Sequence, residues 1–286
     1  MRVDRSVISV DVAGTRRRLG RLQRYVERVL LKEDEFLCRH FESCRGSTKP
    51  DHQFREGTMS HVGRRFDLLR GGKPLRVMVV GQESGLPKDP ASPWGRKVTI
   101  ETRHEHILHT GLQRRYYTEP GIQGRNPHMR GTTSALRVVF GKGLGHDHEA
   151  EFIQPVNGRP FHLFEGFALV NRLLCSAGPV GSSNGKPTTT MFSRCADHFA
   201  ATVSILEPTL VILQGRLVRK WAEDVLVPAQ IFDDYLYEAR FDGSRVMVCS
   251  FSHPSAHGSV RWGDKLDAPY LVDVVVPTIR KALQHS

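Results

Sequence analysis

No apolar run in the chain approaches the roughly 20 residues that a bilayer-spanning helix needs, which argues against an integral helical membrane protein. The opening residues, MRVDRSVISVDVAGTRRRLG, lack an apolar core followed by a small-residue cleavage site, because Asp11 interrupts the short apolar stretch; a cytoplasmic protein is expected. Cysteine is scarce, at five in 286 residues. In a reducing compartment five thiols do not form a disulfide framework, so they are packing groups, ligands or nucleophiles. Acidic residues are also short: 30 Asp and Glu against 41 Lys and Arg leave a formal net charge of +11. That excess favours a polyanionic partner, nucleic acid before an acidic membrane surface. No internal repeat is visible, which removes solenoids and propellers.

What is present is ordinary globular material, 39% hydrophobic and 25% charged, and long enough to bury a sizeable core. Residues 15 to 35 read as a basic amphipathic helix with a stripe of Leu19, Leu22, Val26, Val29 and Leu30. Short β-rich runs follow at Leu75–Val80, Phe167–Val170 and Thr209–Leu213, and a hairpin-like stretch at Tyr235–Phe251 turns at Asp242-Gly243. Helices are expected at Thr132–Phe140, Phe192–Leu206, Leu217–Leu226 and Asp267–Leu283, the last limited or kinked by Pro277. Segment 86–130, rich in Gly, Pro, Arg and His, reads as long loops with at most short helices, and Gly178–Thr190 as another loop. Strands alternating with helices imply a mostly parallel sheet covered on both faces. The expected division is a helical N-terminal arm, 1–74, packed on an α/β domain, 75–286.

Two strand-ending loops carry chemistry: Gly81-Gln82-Glu83-Ser84-Gly85 and Ser252-His253-Pro254-Ser255. Ligands of open α/β sheets bind outside the carboxyl ends of the strands, so a carboxylate and an imidazole far apart in sequence could face one pocket.

The order of four stretches, Gly81–Gly85, Phe167–Cys175 (FALVNRLLC), Leu206–Gly215 (LEPTLVILQG) and His253–Ser255, resembles the uracil-DNA glycosylase superfamily. The resemblance implies a three-layer α/β/α fold around a mostly parallel four-stranded sheet, and a DNA glycosylase that flips and excises a damaged or modified pyrimidine, uracil first. It places Glu83 at the water-activating acid, His253 at the group stabilising the departing base, Gln82 at the amide that holds the base, and Asn171 at the reader of its Watson–Crick edge. In the loop after His253, Val260, Arg261 and Trp262 would wedge the duplex, with Ser255 and His257 beside them on DNA; Trp262 could equally pack against the last helix. One branch of the superfamily holds a [4Fe–4S] cluster on four cysteines, and Cys38, Cys44, Cys175 and Cys195 are similarly placed. Zinc, or buried thiols without a metal, are the alternatives. Cys249 is expected simply to pack. DNA is the implied partner, with no membrane and a monomeric state.

The chain departs from the pattern in three places. The cluster-bearing branch carries its acid one position earlier than Glu83. The stretch between Gly85 and Asn171 is long, and its basic residues (Arg96, Lys97, Arg103, His104, His106, His109, Arg114, Arg115, Arg125 and Arg130) could touch phosphate or cover a larger base. The aromatic that normally stacks on the base is missing, His128 standing nearest. Ser176–Arg194 has no histidine, so covalent trapping of the product is not expected. Two other functions stay open: excision of a bulky hypermodified base from foreign, phage-type DNA, and a non-catalytic iron–sulfur nucleic-acid-binding module.

Overall fold

The computed structural model describes residues 7–33, 35–86, 98–112 and 124–285. The protein is mixed α/β around a seven-stranded mixed sheet. In chain order the strands are β1 (His61–Val62), β2 (Val77–Gly81), β3 (Phe167–Asn171), β4 (Leu210–Gln214), β5 (Val227–Asp233), β6 (Leu236–Phe241) and β7 (Ser244–Phe251). Across the sheet they run β5-β6-β7-β4-β2-β3-β1. The middle four, β7, β4, β2 and β3, are mutually parallel, and the flanking strands are antiparallel to their neighbours.

A sheet of only four strands is therefore corrected to seven. Strand β5 escaped the sequence reading because it is an edge: Val227 and Ile231 are exposed, so no buried alternation marks it, and Pro228 is tolerated there. Strand β1 is two residues inside a polar stretch, though both are buried.

Side chains alternate between two cores. Met78, Val80, Ala168, Val170, Val211 and Leu213 point to one face; Val77, Val79, Phe167, Leu169, Leu210 and Ile212 point to the other. Among the described residues eight α-helices follow in order: α1 (Val12–Val29), α2 (Phe41–Gly46), α3 (Ile100–Leu112), α4 (Pro127–Val139), α5 (Thr189–Arg194), α6 (Ala196–Leu206), α7 (Arg216–Ala222) and α8 (Val276–His285). Helices α1 and α5–α7 contribute to the first core, α4 and α8 to the second. No described helix is long and apolar enough to cross a membrane.

Helix α1 begins at Asp11, whose side chain accepts from the Gly14 amide at 2.8 Å. It is tied to the sheet domain through Leu22 and Val26 in the first core and through Arg18, which bonds Asp67 at 3.1 Å and Glu207 at 2.9 Å.

Three expectations change. Segment 86–130, read as loops, contains the 13-residue α3 and the start of α4, capped by Asn126 with Pro127 in its first turn. The helix expected over Phe192–Leu206 is two, divided at Cys195. Pro277 does not stop the last helix: a π-helical turn, Tyr270–Val275, precedes it and leaves Pro277 in the first turn of α8, where its missing N–H costs little.

Because Leu22 is 2% exposed within the shared core, Leu22→Ala should cost about 2–5 kcal/mol of unfolding free energy in a urea titration. A loss near zero would mean that α1 is only loosely attached.

Candidate active-site cleft

The carboxyl ends of β2, β3, β4 and β7 open into a cleft of about 910 Å³. It gathers Gln82, Glu83, Asn171, His128, His253, Ser255 and His257, all singled out from sequence, on one wall system. The parallel register sets Asn171 beside Gly81, and the two loops are then stitched together: Arg172 N–H donates to the Gly81 carbonyl at 2.9 Å and Leu173 N–H to that of Gln82 at 2.8 Å. Gly81 faces both the Asn171 Oδ1 and the His128 Nε2.

Glu83 is the one carboxylate among the described lining residues. Both its oxygens are sealed from solvent, and neither accepts a hydrogen bond of normal length. Burial pushes its pKa up to about 8, and the nearby Gln82 side chain offsets this only in part. Gly185 backs onto the carboxylate so closely that a Cβ there would overlap Oε1. The Ser183–Gly185 loop is thus a lid on Glu83, held by the Lys186 amide bonded to the Ala177 carbonyl at 2.6 Å.

His253 lines the same cleft. Its Nδ1 accepts the Ser255 backbone N–H at 3.1 Å, which assigns the ring proton to Nε2, and burial holds its pKa below the usual histidine value. The ring is therefore a neutral donor at the cleft. His128, standing nearest the place of the missing stacking aromatic, lines the cleft and lies parallel to the His253 ring, centroids 5.3 Å apart and planes 11° off. Burial, and then the neighbouring His253 and Arg103, push the His128 pKa down to about 3, so it too is neutral.

Trp262 does not reach the cleft. It is 1% exposed, its Nε1 donates to the Ser252 carbonyl at 2.8 Å and its ring meets Phe251, which corrects its assignment to the DNA wedge. Its role is to brace the loop that carries His253, together with Gly263 N–H on the Pro254 carbonyl at 2.9 Å and Arg130 on the Gly263 carbonyl at 2.9 Å. Arg261 is engaged with Asp264. The exposed tip of the loop is His257–Ser259.

The basic stretch divides by environment. Arg96, Lys97, Arg114 and Arg115 lie outside the described residues. Arg125 cannot touch phosphate: it is 2% exposed and clasps Glu151 with bonds of 2.8 and 2.7 Å. His104 is buried against His61, their rings stacked at 5.3 Å. His109 is exposed, while Arg103 and His106 line the cleft.

Cys44, Cys175 and Cys195 are buried in the first core, and Cys38 packs against it. The thiols lie within electrostatic reach of one another: Cys38 and Cys195 each help to raise the pKa of Cys175, and Cys38 that of Cys44, after burial itself. Backbone N–H groups of His40, Gly57 and Leu174 bond Cys38, Cys175 and Cys195 respectively. Among the described residues no three of these sulfurs gather within 4.8 Å. A tetrahedral zinc with bonds of about 2.3 Å would draw them to about 3.8 Å, so the spacing is too wide for zinc as it stands. A four-iron cubane holds its thiolates farther apart. Cys249 is fully buried in the second core, as expected.

The described His, Cys, Asp and Glu side chains close enough to hold a metal are His148, Glu151 and His162. Both Glu151 oxygens are already used, by the Arg125 guanidinium and by His162 Nε2 at 2.9 Å, so this trio is a hydrogen-bonded strut.

Sequence reasoning missed Gln214 and Gly185, and it named Arg103 without singling it out. Gln214 ends β4 with its Nε2 on Thr132 Oγ1 at 3.1 Å, and the strand-end position before Gly215 was the available signal. Gly185 looked like ordinary loop composition, and Arg103 was one cation among ten.

A carboxyl whose pKa is about 8 folded and in the ordinary range unfolded leaves the native state holding a proton that the unfolded chain has lost. Stability therefore falls as pH rises from about 4.5 to about 8 and is level beyond. Glu83→Gln should match wild type in thermal melts at pH 4 and melt several degrees higher at pH 8.5; equal melting at both would disprove the sealed carboxylate.

No protein-family model matches this chain, and no curated protein matches it.

Proposed function

We propose that the protein is a DNA N-glycosylase that flips a damaged or modified pyrimidine, uracil first, into this cleft and hydrolyses its glycosidic bond. The observation that carries the reading is that one cleft is lined by a sealed carboxylate, Glu83, by His253, whose Nδ1 is taken by the Ser255 amide, and by Asn171. The four parallel strands with helices on both faces support the three-layer glycosylase-like fold that the sequence resembles.

Cleaving the bond leaves positive charge on the sugar and an electron pair on the departing base. In its ionised form Glu83 takes a proton from water, whose oxygen bonds C1′ as the C1′–N1 bond breaks. His253 Nε2–H donates to the base oxygen that gains charge; a neutral imidazole suits this because it need not lose a proton to work. Asn171 offers a side-chain amide to the Watson–Crick edge, and Gln82 holds the base through its backbone. With Trp262 withdrawn into the fold, the exposed tip His257–Ser259 fills the gap in the duplex, and the excess positive charge holds the polymer. A monomer suffices.

A [4Fe–4S] cluster on Cys38, Cys44, Cys175 and Cys195 is part of this proposal, supported by their common place in or against the first core and their mutual electrostatic influence. When bound, it would tie the N-terminal arm to the loop after Asn171. The cleft volume favours a second reading of the substrate, a base larger than uracil with a bulky substituent.

Alkali-cleavage assays on oligonucleotides carrying uracil, hypoxanthine or 5-hydroxymethyl and glucosylated pyrimidines test the reaction. Single-turnover excision should fall at least about 100-fold in Glu83→Gln and in His253→Ala. Its rate should climb with pH to a plateau above about 8, as Glu83 ionises. Absence of excision on every base would leave the non-catalytic binding module instead. Anaerobically purified protein should contain iron and sulfide and be brown, and Cys175→Ser should lose both; colourless, iron-free protein would dismiss the cluster.

A further inference from the structure

Helix α3 aims one face into the cleft: Arg103, His106, Ile107 and Thr110, spaced as successive turns of a helix, all line it. Arg103 is the unusual member. Its Nε is sealed from solvent and has no acceptor, and it makes no ion pair among the described residues. Burial alone pulls its pKa down, to about 10, and no carboxylate pulls it back. Its charge is felt instead by three imidazoles, His61, His106 and His128, whose pKa values it lowers.

A guanidinium removed from water without a counter-charge destabilises the fold. Arg125 is paired with Glu151 and Arg137 with the Asp147 and Gly143 oxygens, while Arg172 bonds the Trp221 carbonyl through Nε and leaves its Nη atoms without acceptors in the core. Arg103 differs in its place: it lines the cleft, where an acceptor from a ligand can reach it.

We propose that Arg103 is the centre of an anion subsite in the cleft, binding an acidic oxygen group of the nucleic-acid substrate. The proposal rests on the glycosylase reading for its ligand class only. Two sources share the chemistry: a backbone phosphate beside the flipped nucleotide, or an acidic substituent on the base itself. Arg103 lines the same cleft as His128 and His253, and its charge acts on His128.

The test is binding, read by fluorescence anisotropy, to a duplex bearing one 2′-fluoro-2′-deoxyuridine, which resists hydrolysis. Two companion probes carry methylphosphonates in place of the flanking phosphates, or a carboxylate on the pyrimidine ring. If the anion is a phosphate, Arg103→Met weakens the parent probe about tenfold, lowers its salt slope by about one, and loses this effect on the methylphosphonate probe. If the anion is on the base, only the carboxylate probe suffers. Arg103→Lys should keep most of the affinity in either case. Because Arg103 makes no ion pair among the described residues, Arg103→Met should melt no lower than wild type.

Binding of all three probes by Arg103→Met at wild-type affinity would overturn the subsite, and so would weaker binding joined to a lower melting temperature, which marks a structural arginine. Excision is not part of the readout. An enzyme that excises normally but binds without regard to Arg103 loses this inference and keeps the glycosylase reading; Arg103-dependent binding without any excision does the reverse.

Discussion

The Glu83 carboxylate is held away from water under Gly185, with no donor at normal distance, and this arrangement survives only because everything around it is over-determined. The backbone bonds from Arg172 and Leu173 fix the Gly81–Gln82 turn from one side. The Gly185 loop closes from the other, on a strand, Ser176–Pro179, paired with His52–Arg55. Relax any of these and water reaches the acid, and its pKa falls toward the ordinary carboxylate range. The second core does the same for His253: Trp262 and Tyr270 hold Ser252 by its carbonyl and its amide, and the ring follows.

The pieces readable in the sequence were those announced by strand ends. Gly81–Gly85, Asn171 and Ser252–Ser255 each follow a short apolar run, and the parallel arrangement of those runs brings them to one edge, as the order of motifs implied. What could not be read depends on partners distant in sequence. Helix α3 has little apolar periodicity because histidines do part of the burying; His104 is 4% exposed, stacked on His61 and bonded by Arg64 Nε at 3.2 Å. Trp262 follows a basic residue in a loop, and composition alone does not say whether an indole there faces DNA or the core. Glycine at 185 was uninformative until its neighbour, Glu83, was known.

The N-terminal arm and the cysteines belong to the same argument. Tyr25 on α1 bonds His198 Nδ1 at 2.7 Å, and His198 Nε2 lies 3.3 Å from Cys38 Sγ. The arm therefore reaches the thiol region through a continuous hydrogen-bonded chain as well as through Leu22 and Val26. The +11 charge is not spread evenly over this unit: on α1, Arg18 and Arg21 are offset by Glu207, whereas Arg24 and Arg28 line an open groove with Tyr25.

The π-helical turn before α8 has a mechanical consequence. An extra residue in that turn rotates everything upstream of it by about 100° relative to an unbroken helix. Tyr270 is thereby aimed across at β7, where its hydroxyl meets the Ser252 amide at 3.3 Å. Deleting one residue there would restore a regular helix and swing the phenol off the sheet, freeing the peptide next to His253. The phase of a distant helix is thus linked to the peptide that precedes His253, and irregular winding is one of the features that hold it.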